Sequence, residues 1–180
     1  MPTIFTHVVV PLALAAAVGR TRVSPRLVLA GAAFAILPDA DVVGFSLGIE
    51  YGDAWGHRGA SHSLLFAAAC AGLVALIWGE ARSVIGFLFL SVSMASHGLL
   101  DTLTNGGLGA ALWWPFDEAR IFAPVTPVRV SPIGAGFFSM RGLAVLWSEM
   151  RWIWLPCIVL ATLAMGLRRI GLERAARSRL

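Results

Sequence analysis

The chain has 180 residues, of which 58% are hydrophobic and only 13% are charged, and its mean hydropathy is +0.79. This composition supplies too little polar surface for a soluble globule, so we expect the lipid bilayer to be its solvent. The net charge of +4 does not indicate nucleic-acid binding, because basic residues of membrane proteins collect on the cytoplasmic side. The length predicts a single domain over residues 1–180.

Five apolar stretches predict an all-α bundle with about five membrane-spanning helices. They cover residues 4–19, 26–37, 61–79, 83–100 and 152–167. A hydrocarbon core of about 30 Å needs roughly 20 helical residues, so the last three stretches are long enough and the first two are short. Cys70 and Cys157 lie inside these runs, which argues against a disulfide framework. No basic side chain precedes the first stretch, which argues against a cleaved signal peptide.

The distribution of arginines predicts the orientation of the bundle. Nine arginines fall between the first and second stretches, between the third and fourth, or after the fifth: Arg20, Arg22, Arg26, Arg82, Arg168, Arg169, Arg174, Arg177 and Arg179. Since basic loops stay inside, we expect the N-terminus outside and the C-terminus in the cytoplasm. The basic tail over residues 168–180 is expected to lie as a short amphipathic helix on the anionic inner leaflet.

Residues 102–151 form the long outer segment of this topology. The segment is rich in aromatic residues and prolines: Trp113, Trp114, Pro115, Phe116, Pro124, Pro127, Pro132, Phe137 and Phe138. Prolines prevent a long helix and aromatic side chains favour the headgroup zone, so we expect a partly inserted cap over the outer end of the bundle. An aromatic belt that never contacts a substrate is an equally good interpretation.

Histidines and aspartates concentrate in four short phrases at one end of the predicted helices, within residues 6–7, 38–41, 57–63 and 97–104. Their depths follow from counting about 1.5 Å per residue from the nearest inner charge. His7 and Asp39 come to about 20 Å, His97 to about 22 Å, and His62 and Asp101 to about 27 to 28 Å. The topology rests on the arginines alone, so the similar depths independently indicate that these side chains meet.

The spacing within two of the phrases favours a shared ligand site. His97 and Asp101 are four residues apart and therefore share one helix face. Asp39 and Asp41 follow Pro38, where an extended backbone would direct both carboxylates the same way. Both pairs could then point at one centre.

The loop before the third helix supplies two more imidazoles. His57 and His62 flank a turn with Gly56 and Gly59, and Ser61 is placed to cap the helix and hold His62 at its first turn. The predicted metal ligands are therefore His7, Asp39, Asp41, His57, His62, His97 and Asp101. Imidazole with carboxylate suits one or two zinc ions, with manganese and iron as alternatives.

Each of these residues also has a purely structural interpretation. His7 alone would bridge two helices by a hydrogen bond, and a turn after Pro38 would account for both neighbouring aspartates. The pair in the fourth phrase would be an ordinary hydrogen-bonded contact. A charge buried in the bilayer costs about 2.5 kcal/mol or more unless it is paired, so the convergence of seven such residues favours a metal site.

The same phrases resemble the membrane-bound metal-dependent hydrolases of the YdjM family over most of the chain. The resemblance rests on Thr6-His7, Pro38-Asp39-Ala40-Asp41, His57-Arg58, Ser61-His62-Ser63, Ser96-His97, Leu100-Asp101, Thr104, Trp114-Pro115-Phe116, Ser131-Pro132-Ile133-Gly134, Phe137-Phe138-Ser139, Arg141-Gly142 and Ser148-Glu149. It implies kinship with zinc-dependent phospholipase C and P1 nuclease, and phosphoester hydrolysis at clustered zinc ions. The four histidines are fewer than those soluble relatives use, which favours one or two ions over three.

These observations predict a metal-dependent hydrolase in a bacterial-type inner membrane, with its site toward the outer face. A zinc-activated water would attack a phosphoester of an amphiphilic or lipid substrate. Asp39 or Asp41 would orient this water or accept its proton, and the other would be a ligand. Arg58 would hold a phosphate oxygen, or would instead pair with Glu50, Asp53 or a lipid headgroup.

Two other functions stay open at this point. The zinc-activated water could attack a lipid amide or ester, or the protein could be a non-catalytic metal-binding protein with a closed coordination shell. A transporter is disfavoured, because the inner halves of the predicted spans contain no polar relay. Membrane lipids are the expected partners, and the sequence assigns no role to Arg141 or Glu149.

Overall fold

The computed structural model describes residues 1–132 and 134–177. Its helices are α1 (Ile4–Val18), α2 (Pro25–Ile36), α3 (Leu64–Ile77), α4 (Gly79–Arg82), α5 (Val84–Thr102), α6 (Met140–Glu149) and α7 (Leu155–Arg177). Short 3-10 helices cover Leu37–Leu47, Ala60–His62 and Gly134–Phe137, and a π-helical segment, Met150–Trp154, joins α6 to α7. The described ranges contain isolated β-bridges but no strand. The predicted all-α architecture is confirmed.

Three helical runs are long and apolar enough to cross a membrane: Pro25–Leu47, Val84–Thr102 and Met140–Leu172. Two shorter apolar helices, α1 and α3, accompany them. The second predicted stretch is therefore longer than expected, because Pro38 falls in the first turn of the 3-10 segment, where a missing N–H is tolerated. The third stretch is shorter than expected, because its first residues form the separate turn Ala60–His62.

The fifth stretch also differs from its predicted bounds. It begins at Met140, after the last proline of the outer segment, Pro132, and α7 continues to residue 177. The prediction of a separate amphipathic tail helix is therefore wrong over residues 168–177, which extend α7. Residues 178–180, including Arg179, lie outside the described part of the chain.

Serine caps fix where the central helices begin. Ser63 has an extended backbone and accepts a hydrogen bond from Phe66 N, and Ser83 accepts one from Gly86 N. The prediction that Ser61 caps the third helix is wrong, since Ser63 takes this role and Ser61 lies in the preceding turn. Ser61 is thereby free to bond other side chains.

The backbone that carries Asp39 and Asp41 is helical rather than extended. Both residues lie in the 3-10 helix Leu37–Leu47. A 3-10 helix has three residues per turn, so side chains two positions apart point about 120° away from each other. The predicted parallel direction of the two carboxylates is therefore wrong, and each serves a different group of partners.

Helix α5 lies at the centre of the bundle and packs against α1, α2 and α3. The main hydrophobic core lies toward the arginine-rich end and comprises Val23, Leu27, Ala71, Ala81, Phe89 and Leu90. At the other end, a Cβ added to Gly98 would meet His62 O at 2.2 Å. The glycine thus lets the turn Ala60–His62 lie directly on α5.

The irregular part of the outer segment attaches to this same end of the bundle. Ala111 N donates to Arg58 O at 2.9 Å, and Leu64 N donates to Leu112 O at 3.0 Å. Phe116 and Phe138 are 84% and 88% exposed, as the aromatic-belt interpretation expects. Insertion of this segment into the membrane stays a prediction.

The close contact at Gly98 predicts a strong effect of a single methyl group. Gly98→Ala should lower the free energy of unfolding by about 1–3 kcal/mol, because the backbone of the neighbouring turn has to move. Thermal unfolding of the purified protein in detergent, followed by circular dichroism, would measure it. Gly72→Ala is the matched control, since its Cβ would meet nothing within 4 Å. Equal melting temperatures for the two variants would contradict the contact.

Candidate metal centre

Four of the predicted ligands meet in one group. Asp39, His62, His97 and Asp101 each offer an atom, and these atoms all lie within 4.8 Å of one another. His97 Nε2 is 3.2 Å from Asp39 Oδ1, and His62 Nε2 is 3.4 Å from Asp101 Oδ2. The group joins the 3-10 helix after α2, the turn before α3, and α5. His97 and Asp101, four residues apart, lie on one face of α5, as the sequence predicted.

The inward-facing atoms of this group lack hydrogen-bond partners within the described structure. They are buried, and they comprise His62 Nε2, His97 Nε2, Asp39 Oδ1 and both oxygens of Asp101. Asp101 Oδ2 is nevertheless ion-paired with Arg58 Nε at 3.0 Å, without hydrogen-bond geometry. A buried polar atom without a partner costs about 1–3 kcal/mol, and more when it carries charge. Several such nitrogen and oxygen atoms facing one space have the chemistry of a site for a divalent transition metal, which would satisfy all of them together.

The outer nitrogens of the two imidazoles are bonded, in contrast to the inner ones. His97 Nδ1 donates to the carbonyl oxygen of Ala35 at 2.7 Å. His62 Nδ1 lies 2.9 Å from Ser61 Oγ and 3.3 Å from Asp41 Oδ2. Hydrogen bonds of this kind hold the ring orientation and the tautomer of metal-binding histidines, and leave Nε2 for the ion.

The surroundings of His62, which precedes α3, favour the charged form of its imidazole. Burial lowers the pKa of His62, but the nearby carboxylates of Asp101 and Asp41 outweigh burial and raise the pKa to about 9. The imidazolium therefore compensates the buried carboxylates. A divalent cation bound at Nε2 would replace this proton and supply the compensating charge.

His7 from α1 lies at the edge of the group. Its ring stacks on that of His97 with centroids 3.7 Å apart, and its Nε2 lies 3.9 Å from Asp101 Oδ1. The side chain is fully buried, and neither ring nitrogen has a hydrogen-bond partner in the described residues. His7 is therefore placed as an additional ligand or as a partner for a second ion.

Asp41 and His57 form a neighbouring group with His62. His57 Nδ1 is 2.7 Å from Asp41 Oδ1, while Asp41 Oδ2 accepts from Ser61 Oγ at 2.8 Å. These three titratable residues also bring their ligand atoms within 4.8 Å of one another. Because the Asp41 oxygens are already paired, the arrangement favours a supporting role for Asp41 and His57 behind His62.

Arg58 is held inside the site by contacts to both groups. Its Nε is 3.0 Å from Asp101 Oδ2, and its backbone N–H donates to Asp41 Oδ2 at 3.2 Å. The guanidinium also donates to Gly106 O and Thr104 Oγ1. The alternative pairing with Glu50 or Asp53 is therefore wrong, because the side chain points inward and is 1% exposed.

The backbone of Arg58 adopts a left-handed conformation, with φ of 65°. A non-glycine residue in this region is strained, and such strain persists only where surrounding contacts hold it. Here the strain lets one residue present both its backbone N–H and its guanidinium to the two aspartates. We conclude that Arg58 orients Asp101 and Asp41.

Asp39 marks the accessible side of the group. Its side chain is 16% exposed, whereas those of His62, His97 and Asp101 are 0% exposed. The exposed part of Asp39 excludes Oδ1, the atom that faces the other ligands, since that oxygen is buried.

Arg120 is a site residue that the sequence analysis missed. Its guanidinium donates to three backbone carbonyls in the loop that carries His57, namely those of Tyr51, Asp53 and His57, at 2.5 to 2.9 Å. The partners are carbonyls 63 to 69 residues away. Carbonyls carry no side-chain signature, so no sequence pattern could have indicated these contacts.

Glu149, which is far from α1 in the sequence, stabilises the start of α1 through hydrogen bonds. This fully buried carboxylate accepts from Thr3 Oγ1 at 2.6 Å and from Thr6 Oγ1 at 2.8 Å. Trp154 Nε1 also donates to Thr6 Oγ1. Thr6 directly precedes His7, so these bonds anchor the turn of α1 that carries His7. Arg141, by contrast, is exposed on α6.

Residues 1–172 match the YdjM inner membrane protein family. The chain belongs to this family. It is also similar to inner membrane protein YbcI of Escherichia coli (strain K12), with 41% identity over 173 residues, which cover 94% of this chain and 100% of that protein. No solved structure matches the chain. Membership of the YdjM family and the apolar helices support an integral location in the inner membrane.

The contacts of Arg120 in this YdjM-family protein predict that Arg120 positions the loop that carries His57 and Arg58. Arg120→Gln should weaken metal binding about 10–100-fold, because the loop that holds His57 and Arg58 loses three hydrogen bonds. Competition with a chelator of known affinity would measure the change. Arg129→Gln, which removes an exposed arginine of the same segment, is the control. Equal weakening by both substitutions would contradict a positioning role for Arg120.

The hydrogen bonds of Glu149 predict that its substitution lowers both the stability of the protein and its metal content. Glu149→Ala should lower the free energy of unfolding by roughly 1.5–3 kcal/mol, because buried donors lose a charged acceptor. Denaturant unfolding in detergent would measure it, and elemental analysis should find less bound metal as α1 loosens. Glu118→Ala is the control, since Glu118 is exposed. Unchanged stability in Glu149→Ala would show that Glu149 does not anchor α1.

Proposed function

We propose that this YdjM-family protein is a metal-dependent hydrolase of the inner membrane. It uses zinc to cleave a phosphoester of an amphiphilic or lipid substrate. The observation that carries the proposal is the convergence of buried imidazole and carboxylate atoms that lack hydrogen-bond partners within 4.8 Å, in a group whose Asp39 side chain is partly exposed. Zinc at such ligands acts as a Lewis acid and lowers the pKa of water toward neutrality.

The residues of the chain have separate roles in this proposal. His62, His97 and Asp101 hold the metal, and His7 adds to them at the edge. Asp39, the accessible ligand, orients the attacking water and accepts its proton. In the reaction, the oxygen of water bonds to phosphorus as the ester P–O bond breaks, and the leaving alkoxide takes a proton from solvent.

Arg58 supports this chemistry through Asp101. A guanidinium has five donors, and the hydrogen bonds with Gly106 and Thr104 use two of them, while Nε forms an ion pair with Asp101. We therefore assign its main effect to the position and charge of Asp101. Contact of a remaining donor with a phosphate oxygen during the reaction is part of the proposal.

The outward position of the site is also proposed. Arg82 Nη2 donates to Leu76 O at 2.7 Å, and Arg168 Nη1 donates to Ala17 O at 3.1 Å. These arginines thus close the carboxyl ends of α3 and α1, opposite the end where His62 and His7 lie. Because arginine-rich ends stay in the cytoplasm, this arrangement supports a site toward the outer face, with substrate entering from the lipid.

We also propose a kinship with zinc-dependent phospholipase C and P1 nuclease. It is supported by the sequence phrases that supply the ligands and by the phosphoester chemistry that clustered zinc favours. The chemistry of the site itself suits a lipid amide or ester as well as a phosphoester.

A non-catalytic metal site is the second candidate, and burial favours it. The side chains of His62, His97 and Asp101 are 0% exposed. A structural ion has a closed shell of protein ligands, whereas a catalytic ion keeps a position for water. The partial exposure of Asp39 favours catalysis. The two functions therefore differ in whether the bound ion keeps a coordination position for water.

Loss of ligands should remove the metal. His97→Ala and Asp101→Ala proteins, purified in detergent, should each retain less than about one tenth of the wild-type zinc by elemental analysis, because two or more inward atoms must bind together. Asp117→Asn, which alters an exposed carboxylate, should retain it all. Full metal content in both ligand variants would overturn the site.

Activity separates the two candidate functions. The wild-type protein should hydrolyse a lipid phosphodiester in mixed micelles, and both His97→Ala and chelator treatment should abolish the activity. Parallel assays with a lipid amide and a lipid ester identify the bond that is cleaved. Stoichiometric metal without hydrolysis of any of the three would overturn the enzyme and favour the structural ion.

A further inference from the structure

The end of the bundle opposite the metal centre holds a basic cavity of about 720 Å³. Three arginines line it: Arg20 and Arg22 from the turn between α1 and α2, and Arg168 from α7. None of its described lining residues is acidic. The cavity therefore has the charge to attract an anion, and guanidinium groups are strong hydrogen-bond donors to phosphate oxygens.

The position of Arg168 is fixed by the end of α1. Its Nη1 donates to Ala17 O at 3.1 Å, and a Cβ at Gly19 would lie 2.0 Å from the same nitrogen. Gly19 also has a positive φ of 94°, so a side chain there would be strained as well as blocked. The guanidinium thus lies in a space that only glycine leaves open. Nη1 makes this contact, and within the described part of the chain the donors on Nε and Nη2 have no hydrogen-bond partner.

An apolar groove continues from the basic cavity along the helices. It has a volume of about 260 Å³ and lies between α1 and α5, where Leu14, Ile85, Leu88 and Val92 line it. Val18 and Arg22 line both the groove and the basic cavity. Leu88 and Val92 are 51% and 45% exposed, so the groove opens on the side of the bundle that faces the bilayer.

We propose that this end of the protein is a binding site for an anionic phospholipid. The three arginines hold the phosphate, and part of one acyl chain lies in the groove between α1 and α5. A free phosphate ion would use the cavity alone, whereas a lipid uses both parts, and their shared lining favours the lipid. The arginines belong to the end that is assigned to the anionic inner leaflet.

This site is independent of the proposed hydrolase. His7 and Gly19 are twelve residues apart along the chain, which places them about 18 Å apart along the axis of α1. A lipid held at the arginines therefore does not reach the metal ligands with its phosphate. Failure of either proposal leaves the other standing.

The test measures lipid binding to the full-length protein after delipidation in detergent. Phosphatidylglycerol and phosphatidylcholine are titrated separately, and native mass spectrometry counts the bound lipids. We expect one tightly bound phosphatidylglycerol, and about thirtyfold weaker binding in the Arg20→Gln/Arg22→Gln protein. The control protein, Arg26→Gln/Arg169→Gln, loses the same charge from exposed positions that do not line the cavity, and should bind as the wild type does.

A second pair of variants tests the groove without changing charge. Val92→Trp fills the groove and should weaken phosphatidylglycerol binding, whereas Leu73→Trp on α3 should not. Equal weakening by both arginine pairs would overturn the site in favour of general surface attraction. Displacement by inorganic phosphate with no effect of Val92→Trp would overturn the lipid in favour of the ion. Equal binding of phosphatidylcholine would overturn the requirement for an anion.

Discussion

The compensation of buried carboxylates is the constraint on which this structure depends. Asp101 has no exposed surface, and Asp39 has little, yet both lie inside a bundle of apolar helices. Neither would be stable there without a cation, whether an imidazolium, a guanidinium or a metal ion. The four helical elements that carry the ligands must therefore end at the same depth in the bundle. At this depth the turn Ala60–His62 lies directly against α5, and Gly98 allows this close approach.

Much of this arrangement could be predicted from the sequence because it follows local rules. Apolar length identified the helices, and the four-residue spacing of His97 and Asp101 placed both on one face. Counting residues from the arginines brought His7, Asp39 and His62 to similar depths. These inferences need only the rise of a helix and the location of basic residues, so they hold without knowledge of the packing.

The parts that were missed depend on contacts between distant segments. Whether the chain after Pro38 would be extended or helical was decided by packing, and the outcome separated Asp39 from Asp41 into two groups. The inward direction of Arg58 required a left-handed backbone, which sequence pattern does not reveal. Arg120 bonds to carbonyl oxygens, which every residue possesses, so its role could not be inferred from residue type.

The helical run from α6 to α7 has a mechanical consequence for the site. This run is hydrogen-bonded to both ends of α1. Glu149 accepts from Thr3 and Thr6 at one end, and Arg168 donates to Ala17 O at the other. Contacts at both ends oppose movement of α1 along its axis or rotation about it relative to this run. A bilayer of different thickness would therefore tilt the two helices together rather than move His7 relative to the other ligands. The height of His7 is thus determined by a partner helix, and the site is insulated from the changing thickness of the membrane around it.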